Sequence, residues 1–451
     1  HSNLLKTNFK NPQNEFIEFT LKNNIVMKKN TVAIITMMFL FAMISFVTNL
    51  AAPIGVIWKN SFIGSPNANA IGMIGNAMVF LAYLFMGIPS GKMLAKIGYK
   101  NTAMFGVAAC FVGVLLQWLS GMAGGFVMYL CGAFVSGLGV CMLNTVVNPM
   151  LVLIGGGGNR GNQLNLIGGT LNSLTATLTP MLVGAMIGLV TVDTKIADVN
   201  IVLYIAMAVL LAAFLVLMFT PIEDPESAAV KGEKLSHSPW SFRHFVLGAI
   251  TIFFYVGTEV GIPGGLIFFL SDSAASGLDP EVATSVAGFV AGTYWFMMLV
   301  GRFLSGFIAN RFSSRQISIV LMSCGVILIG TAMFLGTKGT MSSMILFTGS
   351  GFESVNLPVA AILLVLCGLC TSALWSCIFS MATAGLGKYT AAASGIFMTM
   401  VVGGGVLPLL QNFISDNSGY MVGYMVPLTG FVLMLCYAIF GSKNVNKDIE
   451  V

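Results

Sequence analysis

Long apolar runs alternate along this chain with short polar breaks, and twelve of the runs are long enough to cross a bilayer as helices. They fall at 31–58, 67–90, 101–121, 124–153, 164–191, 200–221, 243–270, 282–310, 316–336, 357–384, 389–414 and 418–441, most of them bounded by Gly, Pro, Asn or charge. The longest polar stretch between runs, Ile222–Trp240, leaves six runs on each side. The halves echo each other: SGKMLAKIGYK, from Ser90, aligns without gaps on SGFIANRFSSR, from Ser305. That alignment sets Lys96 against Arg311 and Lys100 against Arg315. The pattern predicts an all-α polytopic membrane protein, with twelve transmembrane helices in two pseudo-symmetric six-helix bundles. The bundles are expected at 30–221 and 243–442, with a cytoplasmic loop at 222–242 and a short tail at 443–451. The first residues are polar and lack the layout of a signal peptide. Met27-Lys28-Lys29 reads as a natural start, and 1–29 is expected to be a disordered cytoplasmic tail.

Composition agrees with this reading: 57% of the 451 residues are hydrophobic and 8% charged, where about a quarter would be charged in a soluble domain. Eighteen of the twenty-one Lys and Arg residues fall in the tails and in alternate breaks, and only Lys59, Lys195 and Lys338 fall in the others. Positive charge concentrates on the cytoplasmic side, so both termini are expected there, in a cell inner membrane. Topology therefore explains the net charge of +5 without a nucleic-acid partner. All eight Cys lie in apolar runs and read as small buried side chains. The CxxC at Cys367 and Cys370 has no second ligand pair, and there are three His in the chain. No metal, no cofactor and no enzymatic constellation is expected.

Among the sixteen Asp and Glu residues, Glu259 lies deepest in an apolar run, with Tyr255 one turn before it. A carboxylate at membrane depth is functional by default. Pro263 stands four residues after Glu259, among Gly257, Gly261, Gly264 and Gly265, so a broken helix is expected at the acid. In the first run Asn49 stands four before Pro53 in the same way. Asn144 and Asn148 share a helix face, as do Asn165, Gly168, Gly169 and Asn172. Amides both donate and accept, which suits sugar hydroxyls; interhelical bonding is the competing use. Trp295 and Trp375 lie inside spans, Trp375 on one face with Thr371 and Ser372, and suit stacking on a sugar ring or core packing. Trp58 and Trp240 read as interface anchors. Arg302 counts here with the cytoplasmic flank, which leaves no cation deep in a span and argues against an anionic substrate.

Three stretches carry a resemblance. NTVVNPMLVLIGGGGNRGNQLNLIGGTLNSL (144–174), FFYVGTEVG (253–261) and WSCIFSMATAGLGKYTAAASGIFMTMVVGGGVLPLL (375–410) resemble the major facilitator superfamily. Within it they are similar to the fucose/glucose/galactose:proton symporter family, over nearly all of 30–441. The resemblance implies two bundles rocking about a central sugar site, proton-driven uptake, and Asn148, Asn172 and Glu259 lining the cavity. It also marks departures: Asn144 and Ala52 stand where acids are expected, Gly168 for a Gln and Gln163 for an Arg. The expected function is import of a neutral, glucose- or galactose-like monosaccharide by a secondary active transporter acting as a monomer. Coupling is expected to a proton through Glu259. Substrate binding falls to Asn49, Asn144, Asn148, Asn172, Tyr255, Trp295 and Trp375. A sodium-coupled symporter, a uniporter and a transporter-derived sugar sensor are the alternatives.

Overall fold

The computed structural model describes residues 12–62, 64–154, 158–187, 194–220, 237–308, 311–336, 338–348, 351–386 and 389–445. The first half contains α1 (Pro12–Asn49), α2 (Ala51–Ser61), α3 (Ala68–Leu119), α4 (Gly125–Ile154), α5 (Gly158–Ile187) and α6 (Asn200–Phe219). The second contains α7 (Arg243–Ser271), α8 (Ser273–Ser276), α9 (Pro280–Ile308) and α10 (Ser314–Gly336). It continues with α11 (Val359–Thr371), α12 (Leu374–Thr383), α13 (Thr390–Met400), α14 (Gly403–Ser418), α15 (Tyr420–Gly423) and α16 (Met425–Cys436). Among the described residues, eleven helical stretches are long and apolar enough to cross a membrane. The thirty-residue α5 occupies the place of the remaining expected span. Large apolar side chains such as Phe219, Ile327 and Phe334 stand exposed on the outside of the helices, the surface a bilayer covers. This is a multi-pass membrane protein.

Several expectations are corrected. Helix α7 runs unbroken from Arg243 to Ser271 with Pro263 inside it. Proline deletes only one backbone hydrogen bond, and the nearby glycines serve close approach rather than bending. A side chain at Gly261 or Gly265 would meet the Gln411 amide, one at Gly257 would meet Leu407, and one at Gly264 would meet Met73. The first span does part where Asn49 and Pro53 suggested, at Leu50 between α1 and α2, whereas the second half is interrupted elsewhere: at Ser372–Ala373, between α11 and α12, and at Val401–Val402, between α13 and α14. Two expected spans join in α3, which turns at Gly98 with φ 82° and ψ 174°, a backbone conformation that glycine reaches without steric cost. Residues 12–29, expected as disordered tail, extend α1, since lengthening a formed helix costs far less than nucleating one. The expected loop 222–242 lies largely outside the described residues.

The helical architecture carries one addition, an antiparallel hairpin of β1 (Met341–Phe347) and β2 (Phe352–Pro358), in register from Met341 opposite Pro358 to Phe347 opposite Phe352. Leu346 and Leu357 are buried, while Ile345 and Phe352 are exposed. Three cysteines expected to be buried, Cys131, Cys324 and Cys436, are also exposed.

The sequence repeat has a structural counterpart. Lys100, at the start of the third span, donates to the carbonyls of Met218 (3.0 Å) and Thr220 (2.9 Å), where the sixth span ends. Its counterpart Arg315 donates to Ala438 (2.8 Å) and Ile439 (2.6 Å), near the end of the last span. Terminal carbonyls lack partners within their own helix and carry partial negative charge, so each cation fastens the last helix of its half to the third.

The halves meet along two seams. In one, α5 and α9 run antiparallel with Gly184 against Gly288, and Gly292 lies against the Thr177 carbonyl. In the other, Gly405 of α14 lies on Ala77 and Phe80 of α3, and the Asn76 amide donates to the Gly404 carbonyl at 3.0 Å. One end of the molecule is closed by polar contacts between halves. Asp416 accepts from the backbone N–H groups of Asn69 (2.9 Å) and Ala70 (2.8 Å), capping α3 from the other half. Lys59 donates to the Tyr420 hydroxyl at 2.9 Å and stands 4.0 Å from Asp272. Lys59 thus lies buried in α2 rather than in a loop.

Candidate functional site

Glu259 and Tyr255 are four residues apart on α7, and the Tyr255 hydroxyl donates to Glu259 Oε1 at 2.8 Å. The same hydroxyl lies 3.3 Å from the carbonyl of Thr371, where α11 ends. From α9, Arg302 Nη2 stands 3.7 Å from Oε1, an ion pair longer than a hydrogen bond. The two side chains are only 14% (Glu259) and 23% (Arg302) exposed. A buried acid without a partner is costly, and a cation together with a donor offsets that cost.

Arg302 has further partners. Its Nη1 donates to Ser173 Oγ at 2.7 Å and to the Gly169 carbonyl at 3.1 Å, both on α5. Its Nε donates to the Ser372 carbonyl at 3.3 Å. Tyr294, also on α9, bonds through its hydroxyl to Thr371 Oγ1 at 3.0 Å. The Trp375 ring lies 6.2 Å from that of Tyr255, tilted by 53°. The interruption at Ser372–Ala373 thus supplies backbone oxygens to both Tyr255 and Arg302. Counting Arg302 with the flank was wrong: it lies inside the helix, and the argument from the absence of a deep cation falls with it. The signal was present in the sequence, because MMLVG precedes this arginine and FLSGFIA follows it.

Two other expected residues border a small cavity. Asn49 and Trp295 line it with Thr48, Asn76, Pro263 and Val260, the residue after Glu259. Its volume is about 50 Å³, space for a few waters and far below the ~300 Å³ at which ligand pockets begin. Asn76, 2% exposed, was not anticipated. The Asn49 amide donates to the Ser45 carbonyl of its own helix at 2.9 Å. Trp295 is 8% exposed, with the Tyr294 ring near-perpendicular to it.

The remaining amides lie apart from the acid. Asn144 donates to the Tyr83 hydroxyl at 2.7 Å, and Asn148 to the Asn144 carbonyl at 3.1 Å. Asn172 donates to the Phe41 carbonyl at 3.0 Å and so ties α5 to α1. The structure therefore joins Glu259 to Tyr255 and Arg302, sets Trp375 against Tyr255, and brings Asn49 and Trp295 together around the cavity. The side chains of Gln163 and Asn165 lie outside the described residues.

Comparison with known proteins adds to this geometry. A family model described as the Major Facilitator Superfamily matches residues 34–407. The chain is 28% identical over 371 residues to a glucose/galactose transporter of Brucella abortus, covering 81% of this chain and 84% of that protein. It is 24% identical over 407 residues to the L-fucose-proton symporter of Escherichia coli, covering 83% and 86%. A crystal structure of the E. coli fucose:proton symporter superposes with a TM-score of 0.66 at 20% identity, covering 92% of this chain and 100% of that one. At that identity the superposition speaks for the fold alone.

Proposed function

The chain belongs to the major facilitator superfamily, and from that premise we propose that it imports a neutral monosaccharide of the glucose/galactose type, coupled to a proton carried by Glu259. The proposed bundles, 30–221 and 243–442, rock about the region between Glu259 and the small cavity. The distribution of Lys and Arg supports both termini in the cytoplasm, and the bacterial relatives support an inner-membrane location. On that topology, the end closed by Lys59, Asp272 and Asp416 faces outward.

One observation carries the reading: a mid-span carboxylate held by a tyrosine and an arginine, beside a cavity lined by Asn49, Asn76 and Trp295. The acid can exist with or without a proton there, because Tyr255 and Arg302 support the charge when the proton leaves. The cavity is lined by two amides and an indole, groups whose chemistry suits the hydroxyls and ring of a sugar. At about 50 Å³ it holds no hexose, so on this reading the halves must part for the sugar to bind. The relatives named for glucose/galactose and fucose support the substrate class. Sodium coupling, through carbonyls near Asn49–Pro53 with Asn144, is the alternative that the same transport experiment decides.

The test is transport in liposomes with labelled glucose and galactose under imposed proton or sodium gradients. Uptake by the unmodified protein should weaken as the outside pH rises. Glu259→Gln keeps the size and neutrality of the protonated acid, so it should still exchange sugar and lose gradient-driven accumulation. Accumulation by Glu259→Gln under a proton gradient alone would end the proposal.

A further inference from the structure

Arg302 is the one side chain in the cluster that touches the acid, the interrupted span and the opposite half together. Its charge is shared between a carboxylate at 3.7 Å on α7 and two acceptors at 2.7 and 3.1 Å on α5. These partners lie on different bodies. The two shortest contacts are those to the first half, the Ser372 carbonyl follows at 3.3 Å, and the longest of the four is to Glu259.

We infer that Arg302 is the positioning residue that converts the proton state of Glu259 into the hold between the two halves at the α5–α9 seam. This rests on the reading of Glu259 as the proton carrier. A protonated Glu259 is neutral and does not compete for the guanidinium, which keeps its charge-assisted bonds to Ser173 and Gly169. An ionised Glu259 draws the guanidinium from 3.7 Å toward hydrogen-bonding distance and away from α5. Proton binding therefore tightens the seam, and proton release loosens it. Beyond Arg302 the seam is close-packed, Gly184 on Gly288 and Gly292 against the Thr177 carbonyl and the Met181 side chain, so a change in the hold at Arg302 acts on two helices already in direct contact.

The other groups around the acid do not offer this link. Tyr255 lies on the acid's own helix and donates to it. From α9, Tyr294 is bonded to Thr371, and from α11, Cys367 and Cys370 lie behind Tyr294. On the remaining side Tyr424 is bonded to the Ile262 carbonyl, and α14 presents the uncharged Gln411 to Gly261 and Gly265. None of these reaches the first half.

The experiment uses the full chain in liposomes, with spin labels on α5 and α9 to read the distance across the seam between pH 5 and pH 9, and labelled galactose and glucose to read transport. Arg302→Gln should abolish the pH dependence of that distance and lower proton-driven accumulation at least tenfold, with counterflow of sugar still measurable. Arg302→Lys keeps the charge but not the planar fork, and should recover part of the pH response. A purely structural arginine would not show that partial rescue. Ser173→Ala, which leaves the pair with Glu259 intact, should weaken the pH response by itself and serves if Arg302→Gln fails to fold. A wild-type pH response in Arg302→Gln, or in Ser173→Ala, would overturn the inference. If Glu259→Gln loses accumulation while Arg302→Gln stays pH-coupled, this inference fails and the reading of Glu259 stands. If Glu259→Gln still accumulates sugar, both fail.

Discussion

At the scale of single residues, the site is a case of partner-finding. Glu259 and Tyr255 were legible from the sequence because a four-residue spacing on one helix fixes their meeting before any tertiary structure exists. The apolar flanks of Arg302 placed it inside a span, but its partnership with Glu259 was not legible, because its partners come from α5, α7 and the break between α11 and α12. The amides show the opposite limit: the sequence marks them as polar inside a helix but does not say whether they face a cavity or a neighbour. The structure separates two of them. Asn172 bonds across to α1, whereas Asn148 bonds within α4. Interhelical bonds in membranes are worth about 0.6 kcal/mol on average and up to about 1.7. Asn172→Ala should therefore lower the thermal unfolding midpoint, and Asn148→Ala should leave it nearly unchanged. If both line the sugar path, each should also weaken galactose binding a few-fold to about tenfold, the worth of one net hydrogen bond. Equal midpoints for the two variants would contradict the assignment of Asn172 as a tie between helices.

At the scale of elements, hydropathy marked nearly all the spans, since a bilayer imposes length and apolarity on any helix that crosses it. Interruptions were harder to read. Pro263 and its glycines suggested a break that α7 does not have, while α11 and α12 part at Ser372–Ala373, where no proline signals it. Whether a helix breaks depends on what packs around it, and here Gln411, Leu407 and Met73 fill the space the glycines leave. The hairpin 341–358 was equally hidden, because alternation over seven residues is short and lies between two strong helical signals. The seam supplies the prediction at this scale. A methyl group at Gly288 would meet the Pro180 carbonyl and Gly184, and overpacking costs about 1–3 kcal/mol. Gly288→Ala should therefore push α5 and α9 apart, raising reagent access to a cysteine placed at Thr48 several-fold. Gly330→Ala, which adds its methyl to open space, is the control and should leave labelling unchanged. Equal labelling in both would mean that the seam does not move.

At the scale of the whole molecule, two halves are held shut at one end by Asp416 capping α3 and by Lys59 between Tyr420 and Asp272. A lost N-cap costs about 0.5–2 kcal/mol, so Asp416→Ala should favour opening at that end. Labelling at Thr48 by a membrane-impermeant reagent should rise from that side, and to a smaller extent in Lys59→Met. Unchanged labelling in both variants would mean that these contacts are not the closure. Resistance to motion is placed differently within each half. Lys100 and Arg315 pin the closing helix of each half to its third span, which stiffens each half against internal shear. Stiff bodies do not dissipate a push where it is applied. A helix of twenty-nine residues is ~43 Å long, so a small displacement near Arg302, within two turns of one end, is carried along it to the opposite mouth as if along a crowbar. Cut either pin and the same push would be spent in bending one half, leaving the molecule able to bind at both ends of its cycle and slow to pass between them.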